Sequence, residues 1–402
     1  MRNFLKTAFS YNFFKVFIYF IFVFSGSLKW IPFPIDITLL GAFLCVMVLV
    51  LEIKSITIFR REVYIQILLI LLLMFLFLVS NLYTVSYIYS EKKNIAMILN
   101  FLTVLYPFIV FKNIVFEELK NLMYVIGGFV IVVLLYVYFT YTFIIFFDVT
   151  QYSESIPTYL AVGIMLSACF IFSMSSQRVT APLIIYRIIL LFLLTQLGGR
   201  GPFFNLILCI GVYYFLNLKN IKLNYKVVLS AATAFFVILF YLHDIIDFII
   251  ENVNIDRFNL LKASQEDESV IYRVMVINKG LESFYSHPFV GTGIGSSGIA
   301  LTGIDQVEYP HNLLLESMIE LGLIGGLAYL SIYLYFFLHN LEIVRKDKKL
   351  LVLYVICLLF FLEDMKSGSF DAWRINLFWM SIYLVQYNFR MDSTSKKVIH
   401  SV

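Results

Sequence analysis

Long apolar runs constrain this chain more than any other feature. A run of about 20 apolar residues is long enough to cross the hydrocarbon core of a bilayer as a helix, and the sequence contains many such runs separated by short polar breaks. Of its 402 residues, 61% are hydrophobic and 14% are charged, which is too little polar surface for a water-soluble domain of this size. The strict alternation of apolar and polar residues that marks a membrane β-barrel is absent. We therefore expect an all-α integral membrane protein.

The apolar runs predict about twelve transmembrane helices. They cover residues 13–27, 35–51, 63–80, 94–111, 122–147, 159–174, 183–197, 202–217, 227–243, 323–340, 350–363 and 374–389. Lys and Arg residues cluster in alternate connections, including 54–61, 219–226 and 345–349. Because membrane proteins retain positive charge on the cytoplasmic side, we expect both termini to be cytoplasmic.

One connection is much longer than the others and lies on the opposite, external side. It covers residues 244–312, between the ninth and tenth spans, and separates membrane segments 1–243 and 313–402. This loop is the segment large enough to carry its own structure outside the membrane. Its ten acidic residues against four basic ones exclude a nucleic-acid-binding surface, which would be basic.

Two helices are predicted at this external end. Apolar residues at helical spacing between Val270 and Phe284 predict a loop helix with Ser269 as its N-cap, lying on the membrane face or against the bundle. Asn312 can cap a second helix that begins at Leu313. We expect the chain to turn back into the bilayer at the glycines of this run, which are Gly322, Gly325 and Gly326.

Three residues on the external side are candidates for chemistry. Arg200 lies in the Gly-rich turn "TQLGGRGPFF", Arg273 lies on the loop helix, and His311 stands between Pro310 and Asn312. Taken alone, each residue has a structural explanation. Arg200 could snorkel from a turn, Arg273 could be a solvated charge on a helix face, and His311 could cap or pack against a helix.

Together, the three residue types suit one reaction. Guanidinium groups hold a diphosphate through forked donors and stay charged at any relevant pH. A helix N-terminus adds backbone N–H donors for the same anion. A neutral histidine can accept a proton from a sugar hydroxyl that attacks an anomeric carbon. The combination of Arg200, Arg273 and His311 predicts glycosyl transfer with a diphosphate leaving group.

Other motifs give weaker signals. The run "HPFVGTGIGSSG" resembles a phosphate-binding loop in composition but does not lie between a strand and a helix, so we expect a flexible connection that borders the site. Asn312, Glu316 and Glu320 are candidates to support His311 or bind substrate, and the two glutamates could equally form the polar face of one helix. No metal-ligand cluster, Ser-His-Asp order or ATP-binding loop is found in the sequence, so neither a metal nor a cofactor is expected.

The order of these features resembles the O-antigen ligase and polymerase superfamily of bacterial surface-glycan enzymes. The similarity lies in the arginine of a short Gly-bearing turn, the loop sequence "YRVMVINKGLESFYSHPFVGTGIGSSG" and the run "HNLLLESMIELGLIGG" that leads into a span. It covers topology over the whole chain and residue pattern over about Gly198 to Gly326. The fold implied is a helical multispan bundle.

The resemblance also implies an activity. It is a metal-independent, inverting glycosyl transfer from a donor glycan on undecaprenyl diphosphate, at the periplasmic face of the bacterial inner membrane. Arg200 and Arg273 match the arginines that contact the donor diphosphate, and His311 matches the histidine proposed to activate the acceptor hydroxyl. Pro202 departs from the family pattern, and Arg257 is an alternative to Arg273 for the second contact.

Three functions are weighed on this basis. A polymerase transfers the growing chain to another lipid-linked repeat unit, whereas a ligase transfers the finished chain to a lipid A core sugar. We favour a polymerase because "PFVGTGIG" and "PHNLLLE" look more like polymerases and capsule enzymes. A lipid-linked glycan flippase would carry ionisable residues along a pathway inside its spans, and the predicted spans are almost free of them. The expected partners are the undecaprenyl-diphosphate-linked oligosaccharide donor and acceptor, the lipid bilayer and, as a further candidate, a chain-length regulator.

Overall fold

The computed structural model describes residues 10–25, 36–53, 59–112, 115–140, 159–176, 178–196, 200–218 and 268–399. Within these ranges the chain is helical and contains no strand. The helices are α1 (Tyr11–Phe24), α2 (Ile37–Glu52), α3 (Arg61–Ser80), α4 (Ile88–Val110), α5 (Phe116–Thr140), α6 (Tyr159–Ser173), α7 (Ala181–Gln196), α8 (Arg200–Asn217), α9 (Glu268–Ser286), α10 (Ser297–Thr302), α11 (Leu313–Val344), α12 (Lys348–Ser367) and α13 (Arg374–Ile399). The predicted span 227–243, the first part of the external loop and Arg257 lie outside the described residues.

Eleven of the twelve predicted spans coincide with helices: α1 to α8 cover the first eight, and α11 to α13 cover the last three. Among the described residues, four helices are long and apolar enough to cross a membrane, namely α3, α4, Phe116–Tyr136 of α5, and α11. Five shorter apolar helices accompany them, over Tyr11–Phe24, Ile37–Glu52, Ala161–Ser173, Ala181–Thr195 and Gly201–Asn217. The prediction of an all-α multispan membrane protein is confirmed, and the count of twelve spans stays a prediction.

Helices α12 and α13 form the centre of the bundle. α12 packs against α6, α8, α11 and α13, and α13 packs against α1 and α4. The fully buried ring of Trp379 on α13 lies 6.2 Å from Phe24, 5.7 Å from Phe172 and 5.7 Å from Phe360, measured between ring centroids. Aromatic pairs at such distances contribute about 0.5–1.5 kcal/mol each beyond their burial. They fix α1, α6 and α12 around one side chain.

One group of four ion pairs and the contacts of segment 268–312 lie at opposite ends of the bundle. The ion pairs at one end are Lys15–Glu52, Lys112–Glu52, Lys349–Glu117 and Arg390–Asp347. At the other end, Thr84 Oγ1 donates to the carbonyl of Ile294 at 2.6 Å, and Asn312 Nδ2 donates to the carbonyl of Met365 at 2.8 Å. The turn between α3 and α4, the external segment and the end of α12 therefore meet on one face.

Of the three glycines predicted to turn the chain, Gly322 interrupts α11, whereas Gly325 and Gly326 are helical. At Gly322 a φ of 65° and a ψ of −155° break α11, while the rest of that helix keeps helical geometry. The Gly-rich loop fills the break, since the N–H of Gly293 donates to the carbonyl of Glu320 at 2.9 Å and that of Leu323 donates to Pro288 at 2.7 Å. Irregular backbone near lipid needs such protein partners because lipid offers none. The expectation of a flexible connection is wrong, because these bonds hold the loop against α11.

Candidate functional site

His311 is held in an uncommon backbone conformation. Its φ is 53°, and it is the one non-glycine residue with positive φ in the described part of the chain. Such conformations cost on the order of 1–3 kcal/mol and cluster at functional sites. Asn312 is the N-cap of α11, as predicted, because its Oδ1 accepts the N–H of Leu315 at 2.9 Å. The Tyr309 ring lies T-shaped to the imidazole, 4.6 Å between centroids, so the imidazole is fixed at the start of α11.

The half-buried imidazole is held in its neutral form. Burial lowers the pKa of His311 from its ordinary value of 6.5, and the positive charge of Arg273 lowers it further, against an opposing effect of Glu308. Because this pKa lies below 6.5, the ring is mostly uncharged at neutral pH, and one ring nitrogen can accept a proton. This is the protonation state that a general base needs.

Arg273 lies on α9, with its side chain exposed and within electrostatic range of His311. α9 packs against α11 at Gly280, where an added Cβ would come within 3.1 Å of the side chains of Leu315 and Ile319. The predicted loop helix is therefore present and lies against the bundle. It begins at Glu268 and already includes Ser269, so the prediction of Ser269 as its N-cap is wrong.

Arg200 is the first residue of α8, and the backbone at this point meets the end of α12. Lys366 Nζ lies directly over the Cα of Gly201, the residue after Arg200. The direction of the Arg200 side chain lies outside the described part of the structure. Lys366 also interacts electrostatically with Arg273. The fold thus brings the turn that carries Arg200, the guanidinium of Arg273 and a second cationic side chain into one neighbourhood.

Lys366 was absent from the sequence prediction. It follows Glu363 and Asp364 at the end of a helix that is otherwise apolar from Leu350 onward. One lysine at a helix end is usually explained by snorkelling, whereas three charges within four residues are a signal that could have found it. The bond from Asn312 to Met365 joins the start of α11 to this end of α12. Lys366 and His311 are therefore held next to the same interhelical contact.

Glu316 and Glu320 lie in a fully buried cluster. Lys93 Nζ is 2.5 Å from Glu316 Oε1 and 2.5 Å from Glu320 Oε1, and all three side chains are 0% exposed. Glu316 also accepts the N–H of Phe370 at 2.9 Å, and Glu320 accepts that of Ser297 at 3.3 Å. These bonds tie α11 to α4, α10 and the turn after α12. A direct role of the two glutamates toward His311 or substrate stays a prediction.

The polar groups at this end of the bundle are suited to an anion beside a neutral base. Arg273 and Lys366 supply positive charge, and His311 supplies a proton acceptor next to them. Within the described ranges, no group of three or more His, Cys, Asp or Glu side chains is placed to hold a metal ion. The chemistry available here from the chain itself is the neutralisation of an anion and the removal of a proton from a nearby hydroxyl.

Part of the chain matches a known protein family. A family model described as O-antigen ligase matches residues 185–330, somewhat more than a third of the chain. No curated protein matches the chain. The matched segment runs from α7 into α11 and contains Arg200, Arg273 and His311, whereas Lys366 lies beyond it. The resemblance seen in the sequence is confirmed over this segment, because residues 185–330 are similar to the O-antigen ligase family.

Proposed function

We propose that the chain is a polymerase of a bacterial surface polysaccharide. It transfers a growing glycan from undecaprenyl diphosphate to the non-reducing end of a lipid-linked repeat unit. The observation that carries this proposal is the placement of a neutral histidine, His311, beside the cationic side chains of Arg273 and Lys366, in a chain whose residues 185–330 match the O-antigen ligase family. The Gly-rich and "PHNLLLE" motifs favour a polymerase.

The proposed step is a single displacement. His311 accepts the proton of the acceptor hydroxyl, and the hydroxyl oxygen forms a bond to the anomeric carbon of the donor. The bond between that carbon and the diphosphate oxygen breaks, with inversion, and undecaprenyl diphosphate leaves with the electron pair. Arg273, Lys366 and the side chain of Arg200 neutralise the leaving diphosphate, so the reaction requires no metal ion.

The contribution of each cationic side chain to the rate of glycosyl transfer can be bounded. A hydrogen bond to a charged group contributes about 1.5–3 kcal/mol, and about 1.4 kcal/mol corresponds to a tenfold change in rate. Removal of Lys366 alone therefore lowers transfer by roughly tenfold to a hundredfold. Removal of Arg273 has a larger effect, because its guanidinium offers forked donors to the diphosphate.

We also propose an orientation. The ion pairs that involve Lys112, Lys349 and Arg390 lie at the end of the bundle away from His311. Positively charged connections are retained in the cytoplasm. This supports cytoplasmic termini and a site on the periplasmic face of the inner membrane.

Single substitutions test the proposal in cells that lack the natural gene. His311→Ala and Arg273→Ala abolish surface-glycan ladders on gels, and Lys366→Ala shortens or thins them, at equal amounts of membrane-inserted protein. His287→Ala is the matched control, because this exposed histidine lies on the same external segment and its loss leaves the ladder intact. Normal ladders from His311→Ala and Arg273→Ala would refute the site.

A ligase is the second candidate. It is favoured by the description of the matched family model, which is O-antigen ligase. The same base and the same diphosphate site would serve it, with a lipid A core sugar in place of the repeat unit as acceptor. The two candidates differ in what accumulates when the gene is removed, since loss of a polymerase leaves single repeat units on the core and loss of a ligase leaves the core bare.

A further inference from the structure

Gly201 leaves the space that the end of the Lys366 side chain occupies. It is buried in the first turn of α8, one residue after Arg200. A Cβ at this position would overlap Lys366 Nζ and would lie 2.7 Å from Cε and 3.2 Å from Cδ of the same lysine. The helix itself does not require a glycine here, because the φ of Gly201 is not positive and alanine is the better helix former. The missing side chain at residue 201 therefore serves the placement of the Lys366 ammonium.

The first turn of α8 is fixed from two sides. On one side, Ser167 Oγ of α6 donates to the carbonyl of Pro202 at 3.2 Å. On the other side, Asn205 Nδ2 donates to Glu363 Oε2 of α12 at 3.0 Å. These two bonds hold the N-terminus of α8 between α6 and α12, so the end of α12 meets a fixed surface at Gly201.

Positive charge opposes a lysine at this point. The N-terminus of an α-helix carries partial positive charge, and Arg273 acts on Lys366 with its own charge. Because a lysine side chain is flexible, its ammonium would turn away from this surface without a counter-charge. Glu363 supplies that counter-charge. It lies three residues before Lys366 on the same face of α12 and acts on the lysine with the opposite sign to Arg273.

Glu363 is too enclosed to act on a ligand directly. It is 6% exposed, and its Oε1 is buried without a hydrogen-bond partner in the described part of the chain. Lys366, by contrast, is partly exposed. The carboxylate of Glu363 therefore influences the site through its charge on Lys366 and through its bond to Asn205.

The same groups decide the protonation of Lys366. Burial lowers the pKa of Lys366 below its ordinary value of 10.5, Glu363 acts to raise it, and Arg273 on α9 lowers it further. Residues 201–205 of α8 carry no charge, and Arg200 before them stays charged at any relevant pH. Among the cations of the site, Lys366 is thus the one that loses its charge as the pH rises.

We propose that Gly201 and Glu363 are positioning residues for Lys366. Gly201 leaves the space for the ammonium beside the turn that carries Arg200, and Glu363 holds the ammonium there until the diphosphate binds. This inference rests on the proposed function, because that function supplies the diphosphate that Lys366 neutralises. It gives the buried glutamate a role beside a cluster of cations.

A double-mutant cycle tests Gly201. The assay is the initial rate at which the purified full chain in detergent extends lipid-linked repeat units extracted from cells that lack the gene. Gly201→Ala lowers this rate roughly tenfold to a hundredfold, as Lys366→Ala does, because the added methyl group displaces the ammonium. The double variant is no slower than Lys366→Ala, since both changes remove the same interaction. Gly211→Ala is the matched control on α8 and keeps the wild-type rate, because a Cβ there meets nothing within 4 Å.

The alkaline limb of the rate profile tests Glu363. Glu363→Gln keeps an acceptor for Asn205 but removes the negative charge, so it no longer raises the pKa of Lys366. The limb in which Lys366 loses its proton therefore shifts to lower pH. Addition of Lys366→Arg to Glu363→Gln removes the shift, because a guanidinium keeps its charge. A merely structural role of Glu363 would lower the rate at every pH and leave the limb in place.

The outcomes separate this inference from the proposed function. All rates are compared at equal amounts of folded protein, and the clash in Gly201→Ala falls on the far end of a flexible side chain, which the fold tolerates. Losses that multiply in the double variant would overturn the role of Gly201, and an unmoved alkaline limb would overturn that of Glu363, with the proposed function still standing. A wild-type rate from Lys366→Ala would overturn both roles. Failure of the wild type to extend the repeat units would overturn the proposed function itself.

Discussion

Loss of Lys93 is predicted to cost the fold more than loss of any neighbouring charge. Its ammonium lies 2.5 Å from a carboxylate oxygen of Glu316 and 2.5 Å from one of Glu320, with all three side chains at 0% exposure. Each contact is worth roughly 6–7 kcal/mol of Coulomb attraction at an effective dielectric constant of about 20, largely offset by the desolvation of the charges. Removal of one partner from a buried ion pair costs about 3–5 kcal/mol. Lys93→Met leaves two buried carboxylates without a cation and is expected to lose at least that much.

Thermal unfolding of the detergent-solubilised chain, followed by tryptophan fluorescence, measures this loss. At roughly 2 °C per kcal/mol, Lys93→Met lowers the apparent midpoint by about 6–10 °C. Lys92→Met is the matched control, because Lys92 pairs with Asp371 at 2.8 Å but is 52% exposed, and such surface pairs contribute about 0–1 kcal/mol. Addition of Glu320→Gln to Lys93→Met recovers part of the loss. Equal midpoints for Lys93→Met and Lys92→Met would refute this account of the buried cluster.

Two further predictions concern protonation and the Gly-rich loop. Protonated His311 cannot accept the hydroxyl proton, so transfer falls as pH drops through its lowered pKa, below 6.5. Because Glu308 acts to raise that pKa, Glu308→Gln shifts the acidic limb of the rate profile to lower pH, and a shift to higher pH would contradict the assignment. Gly293 and Gly303 both have positive φ, but an added Cβ clashes with the backbone of Thr84 only at Gly293 and meets open space at Gly303. Gly303→Ala adds only the backbone strain of a positive φ, about 1–2 kcal/mol, whereas Gly293→Ala adds the clash as well. Gly293→Ala therefore lowers the unfolding midpoint more than Gly303→Ala, and equal shifts would contradict the packing at Gly293.

Local signals in the sequence predicted local structure well. The Asn312 cap and the helix from Leu313 follow from one polar residue placed before an apolar run, and both are present. The sequence predicts a turn at Gly322, Gly325 and Gly326, and α11 is broken at Gly322 while the other two glycines are helical. In each case the deciding contacts lie within a few residues, where spacing and residue type carry the information.

Pairings between distant segments could not be predicted in the same way. Lys93 stands one residue before the predicted span 94–111, and its partners Glu316 and Glu320 are more than 220 residues away in the chain. Hydropathy places such a lysine at the interface, whereas the fold buries it because two carboxylates arrive on α11. The contacts of Lys366 could not be predicted for the same reason, since its neighbours Gly201 and Arg273 come from α8 and α9, although the charges around Lys366 were a local signal.

The Gly-rich loop shows a related limit of sequence patterns. Its composition suggested flexibility, but Gly291, Gly293 and Gly295 have positive φ values because they allow close approach to the backbone of other segments. Composition alone does not distinguish a glycine used for freedom from one used for close packing. In this loop, the contact with Glu320 and the kink at Gly322 show that the glycines serve close packing.

The most direct test of the central claim is a gel of the surface polysaccharide from cells in which the gene has been deleted. We predict that the ladder is lost and that a single repeat unit remains attached to the lipid A core. A bare core with lipid-linked polymer in the membrane would identify a ligase instead, and repeat units trapped on the cytoplasmic face would identify a flippase. A ladder identical to that of the parent cells would contradict glycan transfer by this chain.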